Sequence, residues 1–199
     1  MRILTHTLSF ALLAATASAQ TTPAGSSTYE PITGGGRFEW AIMNTINLPS
    51  FGVGLINAGW GTYFNEPREY GTSLEGFGKR FAIRLAGVGV SNTMESGLGA
   101  IWGEDPRYPR AAGQPFVQRA GHVIKMTFVA RNREGRLVPA YARYAAIGGS
   151  NFLSNAWRAD SDATVRHATI RIGLGFLGRV GVNTYYEFWP DIKDKLFKH

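Results

Sequence analysis

Between Tyr70 and Trp102, small residues recur with a period that a helix satisfies and a strand does not. Gly78, Ala82, Ala86, Gly89, Thr93, Gly97 and Ala100 follow one another in steps of 4, 4, 3, 4, 4 and 3 residues. The mean step is about 3.67, the eleven-residue helical repeat. A strand would scatter the same positions over both of its faces. No member carries bulk, so the run predicts a packing ridge along which another helix backbone approaches closely. Arg80, Arg84, Ser91 and Glu95 fall on the far side and read as a solvated stripe. Gly103 is placed to stop the helix, and Pro106 forbids its continuation.

The neighbouring segments extend this pattern. Phe38, Ile42 and Ile46 sit at helical spacing, and Pro49 ends or kinks that segment. Gly54, Ala58 and Gly61 line a second short helix stopping near Asn65-Glu66-Pro67, and no charge occurs from Trp40 to Asn65. Pro115 to Arg131 reads as a further helix, and Asn132 to Arg136 as a turn. Pro139 suits the first position of a helix reaching Trp157. A last long helix runs from Ala163 to Trp189, with Pro190 breaking it before a short basic amphipathic tail. The expected fold is mainly α: a single Gly/Ala-rich helical bundle, with membrane embedding left open. The alternative is an eight-stranded outer-membrane β-barrel, for which Val123–Arg131, Arg136–Arg143 and Thr164–Leu174 would supply alternating strands. The charged C-terminus and the long small-residue ridge speak against the barrel.

The N-terminal residues bear on the compartment. Arg2 precedes an apolar run to Ala17, and Ala17-Ser18-Ala19 has the small-x-small form of a signal-peptidase site. Residues 1–19 therefore read as a signal peptide, 20–36 as a flexible polar linker, and 37–199 as the helical domain. The expected location is exported, in the periplasm or outer membrane of a bacterial envelope. The chain has no cysteine, which excludes disulfides and thiolate chemistry. Its net charge of +7 and low charged content of 18% favour an anionic surface. The partners this implies are membrane lipid or another envelope protein, with homo-oligomerisation through the small-residue faces and no nucleic acid.

The chemical candidates are few. Glu104, Asp105, Arg107 and Tyr108 share a proline-bounded loop, where paired carboxylates would serve as acid and base or as cation ligands. The competing reading is a connector whose Asp and Pro set the turn. His122 and His167 lack metal-binding spacing, so neither a metal nor a cofactor is expected. No nucleophile elbow or phosphate loop appears.

Gly76 to Phe81 (GFGKRF), Glu104 to Tyr108 (EDPRY) and Glu187 to Ile192 (EFWPDI) together resemble a family of uncharacterised bacterial exported proteins. The resemblance covers most of the region after residue 36 and implies no catalytic residues. Gly103 stands where that family often has His before the acidic turn, which weakens a metal or acid–base role there. The reading is thus a non-enzymatic, membrane-associated helical domain of the cell envelope. The alternatives are an outer-membrane barrel and a small periplasmic hydrolase using Glu104 and Asp105.

Overall fold

The structure, a computed structural model, describes residues 29–197, apart from the side chain of Leu48. The expected signal peptide, its cleavage site and most of the linker lie outside the described residues.

Helix α1 (Gly34–Ile46) starts where Thr33 caps it, the Thr33 hydroxyl accepting from Gly36 N at 3.1 Å. The Gly34–Gly36 triplet, assigned to the linker by composition, is therefore its first turn. Asn47 separates α1 from α2 (Leu48–Tyr63) and caps the latter through Ser50 N at 2.8 Å. Pro49 fits the first turn of α2, where its missing N–H costs nothing, so the chain breaks there as its sequence predicts. Ser73 caps α3 (Leu74–Trp102), and Gly103 ends it in a left-handed conformation with φ 79°. Helix α4 (Phe116–Phe128) leads into a two-stranded antiparallel ribbon, β1 (Val129–Arg131) and β2 (Leu137–Pro139), with Ala130 opposite Val138. Helix α5 (Tyr141–Leu153), a 3-10 turn (Ser154–Trp157) and α6 (Val165–Phe197) complete the order.

The fold is mainly helical, and the described residues form no barrel. Thr164–Leu174, a strand under the barrel reading, lies almost wholly in α6. Two prolines depart from expectation. Pro139 closes β2 instead of opening a helix, and α5 starts at Tyr141. Pro190 lies inside α6, so the basic tail continues the helix instead of following a break. A helical proline frees carbonyls of the preceding turn. The carbonyl left without its donor is that of Tyr186; the next one, of Glu187, accepts from the guanidinium groups of Arg110 and Arg119.

Helix α3 is the centre of the packing. Helices α1 and α2 follow one another along it, α5 lies against another side, and α6 packs on α4 and α5. The face that α3 turns inward is the opposite of the expected one. Gly78, Ala82, Ala86, Thr93, Gly97 and Ala100 are exposed and Gly89 is half-buried. A β-carbon built on Gly78 or Gly97 would meet nothing within 4 Å. The buried residues of α3 are Gly76, Arg80, Asn92, Glu95, Ser96 and Gly99. Close approach therefore occurs on the polar side, where a β-carbon on Gly99 would stand 2.9 Å from the Glu104 carbonyl oxygen. The ridge is not a helix-packing surface within this chain. The physical reason is reach: Arg80 and Arg84 find carbonyl acceptors on adjoining elements that a ridge of methyl groups cannot use.

The same inversion runs through the molecule. The largest fully buried side chains are Glu187, Asn183, Thr127 and Ser154, all polar. Much of the buried apolar contribution comes from alanines such as Ala58, Ala140, Ala142, Ala146 and Ala168. Meanwhile Phe38, Ile101 and Leu177 are 71%, 73% and 66% exposed. Among the described residues, no helix is long and apolar enough to cross a membrane.

Candidate functional site

The ionic interior has two centres. In the first, one oxygen of buried Glu95 on α3 accepts from Arg143 Nε of α5 at 2.8 Å and Arg179 Nη2 of α6 at 2.6 Å. Arg143 also donates from Nη1 to the carbonyls of Met126, Thr127 and Val129 at 2.8, 3.0 and 3.2 Å. It thereby satisfies orphan acceptors at the C-terminus of α4. Arg179 also donates to the Pro106 carbonyl at 3.2 Å and lies over the Trp40 ring. One carboxylate thus joins α3, α5 and α6, and through the two arginines holds α4, α1 and the 103–115 loop.

The second centre is Glu187, with no exposed surface. Its Oε1 accepts from Arg119 Nε at 2.6 Å, and its Oε2 from Tyr108 Oη at 2.8 Å and Ala111 N at 3.0 Å. Arg110 and Arg119 both bridge onward to Asp191. Burial alone would raise the Glu187 pKa, but the Ala111 N–H, Arg119 and Tyr108 outweigh it and hold it below the ordinary carboxylate value. Burial is the main cause that pushes the Tyr108 phenol far up, with the Glu187 carboxylate adding to it.

The acidic loop is built into this framework. Glu104 Oε2 accepts from Ala142 N at 3.0 Å, capping the first turn of α5, and burial raises its pKa. Asp105 pairs its backbone N with the Arg131 carbonyl at 2.8 Å. Its carboxylate takes Arg107 through Nε at 3.0 Å and Nη2 at 2.6 Å, and Tyr29 Oη at 3.0 Å. Burial, then the charge and hydrogen bond of Asp105, raise the Tyr29 phenol to about 12. The four loop residues are therefore brought together as tie points to different elements: Glu104 to α5, Asp105 and Arg107 to residues 29–30 and β1, Tyr108 to α6. The gap bounded by Glu95, Glu104, Asp105 and Ala142 is too small to admit water. Neither Glu104 nor Asp105 faces a space where a substrate could lie.

The histidines are tied locally, His122 to the Pro109 carbonyl at 2.7 Å and His167 to Thr164 Oγ1 at 3.1 Å. Among the described residues, no three His, Asp or Glu side chains are grouped to hold a metal ion. The sequence reading missed Arg119, Arg143, Arg179, Asn183 and Glu187. Arg179, Asn183 and Glu187 recur at steps of four, which keeps them within about 80° of one another round the helix. The signal lay in that spacing.

Comparison with family models, with curated proteins and with solved structures finds no match for this chain.

Proposed function

We propose that this chain is a non-enzymatic helical domain of the bacterial cell envelope that seats its apolar outer surface in a membrane. One observation carries the reading: charge is turned inward and apolar surface outward. From Phe81 to Trp102 on α3, the exposed residues are Ala82, Ala86, Thr93, Gly97, Ala100, Ile101 and Trp102. From Thr169 to Thr184 on α6 they are Thr169, Ile170, Gly173, Leu174, Leu177, Gly178, Gly181 and Thr184. None is charged, whereas Arg80, Glu95, Arg179 and Glu187 lie on the inner faces. A water-facing helix would show the reverse, and apolar surface on this scale marks a contact surface. Hydropathy averaged along either helix counts the inward charges, which is why neither reads as an apolar span.

The saturated carboxylates support a structural role over hydrolysis. Each oxygen described above accepts from an arginine, a phenol or a backbone N–H, and none is poised over a cleft. Vesicle flotation of the full chain tests the proposal. The protein should rise with liposomes at both low and high salt, since apolar contact is not screened. Protein that stays at the bottom of the gradient in both conditions would overturn the reading.

A further inference from the structure

We propose that the groove between α1 and the C-terminal half of α3 binds one acyl chain of an anionic phospholipid, with Arg37 and Arg133 holding its phosphate. The inference rests on the membrane reading and names its ligand and site. The groove has a cavity volume of about 520 Å³. Its walls are Phe38, Ile42 and Ile46 of α1, and its floor is Gly89, Thr93 and Gly97 of α3. It runs the length of α1, about 18 Å at the helical rise per residue. The small-residue run keeps the floor low: a β-carbon on Gly97 meets open space, and one on Gly89 meets only Thr45 Cγ2 at 3.5 Å. A long, apolar, one-sided slot suits a linear hydrocarbon.

Charge complementarity sets the head end. Arg37 Nη1 donates to the Ser96 carbonyl at 3.4 Å, and Arg133 Nη2 to the Ala100 carbonyl at 3.0 Å. The two guanidinium groups therefore stand over successive turns at the end of α3. Neither forms an ion pair among the described residues. The nearby acids are spoken for: Asp105 holds Arg107, and Glu134 faces Arg136. Two cations without carboxylate partners at one end of an apolar slot match a phosphate carrying a hydrocarbon tail.

Native mass spectrometry of the full chain, titrated in neutral detergent with dioleoyl phosphatidylglycerol or dioleoyl phosphatidylcholine, tests this. Each arginine is expected to contribute about fivefold, so wild type should prefer the anionic lipid by about thirtyfold. Arg133→Gln should reduce that preference to about fivefold, weakening phosphatidylglycerol more than phosphatidylcholine, whose choline offsets its phosphate charge. Gly97→Leu, which fills the floor without a clash, should weaken both lipids by about tenfold or more. Its unchanged circular dichroism and unchanged vesicle flotation would show that fold and membrane contact survive. Equal binding of both lipids by wild type, or undiminished phosphatidylglycerol binding by Gly97→Leu, overturns the groove assignment. So does a wild-type dimer that Gly97→Leu splits into monomers, because a second copy then covers the groove. Failure of wild type to float sinks the membrane reading itself.

Discussion

Replacing Glu187 by glutamine keeps its shape and removes its charge, which isolates the worth of the second ionic centre. Three donors converge on this carboxylate: Arg119 Nε, Tyr108 Oη and Ala111 N. The amide NH2 of glutamine must face one of them. At the Oε1 position it meets the Arg119 N–H, and at Oε2 it meets the Ala111 N–H. Arg119 keeps the residue 187 main-chain carbonyl but is left with the partly exposed Asp191 as its carboxylate partner. Breaking a buried, hydrogen-bonded charge pair costs about 3 to 5 kcal/mol, a large share of a total of roughly 5 to 15 kcal/mol. For a domain of this size that corresponds to a melting point lower by about 6 to 20 °C. Glu39→Gln, on the exposed side of α1, serves as the control and should stay within about 0.5 kcal/mol of wild type. Urea unfolding and thermal melts followed by circular dichroism in mild detergent measure both. A Glu187→Gln protein within about 1 kcal/mol of wild type would refute the argument that the interior is held by this carboxylate.

Two further variants probe the inversion and the N-terminal tie. Ala86→Leu should cost less than about 0.5 kcal/mol because Ala86 is exposed. Asn92→Leu, which removes the buried amide that donates to Thr45 Oγ1 at 3.0 Å and puts a larger apolar side chain in its place, should cost about 1 to 3 kcal/mol; equal melts would show that the inward face is wrongly identified. Tyr29→Phe removes the phenol held by Asp105. Because the folded pKa is raised to about 12 above an unfolded value near 10, the stability it contributes is fully present below about pH 10 and is lost as pH rises toward 12. Denaturation from pH 8 to 12 should therefore show the gap between wild type and Tyr29→Phe closing over that interval, and a gap that widens would contradict the sign.

Much of the helical framework was legible in the residues. The small-residue period located α3, Gly103 ended it in the left-handed conformation that only glycine adopts freely, and Pro49, in the first turn of α2, marked the break after α1. The orientation of α3 was not legible by the usual rule. Arg80, Arg84 and Glu95 read as a water-facing stripe because charge normally faces water, yet periodicity fixes only which residues share a face. Which face turns inward depends on partners far along the chain. Arg80 finds the Glu66, Pro67 and Gly71 carbonyls, and Glu95 finds Arg143 and Arg179. Pro139 and Pro190 misled for a related reason. A proline's local preference gives way to tertiary packing: Pro139 pairs with Val129 in the ribbon, and Pro190 lies in a helix held on either side of it by the ion pairs of Glu187 and Asp191. The acidic loop stands out in the sequence as a cluster, but its ties to Arg131, Ala142, Tyr29 and Glu187 depend on residues 26 to 79 positions away.

The absence of native cysteine makes site-directed spin labelling the most direct measurement of the central claim. Single cysteines at Ala86, Thr93, Leu174 and Leu177, on the outward faces of α3 and α6, would be labelled in the full chain bound to vesicles. Arg136 on the exposed turn serves as the water-facing reference. Power-saturation spectra then compare collision with oxygen, which concentrates in hydrocarbon, and with a polar nickel complex, which is excluded from it. The account predicts high oxygen and low nickel accessibility at all four outward sites, and the reverse at Arg136. Nickel accessibility at Leu174 and Leu177 matching that at Arg136 would mean that these faces meet water, and the membrane-seated account would be wrong.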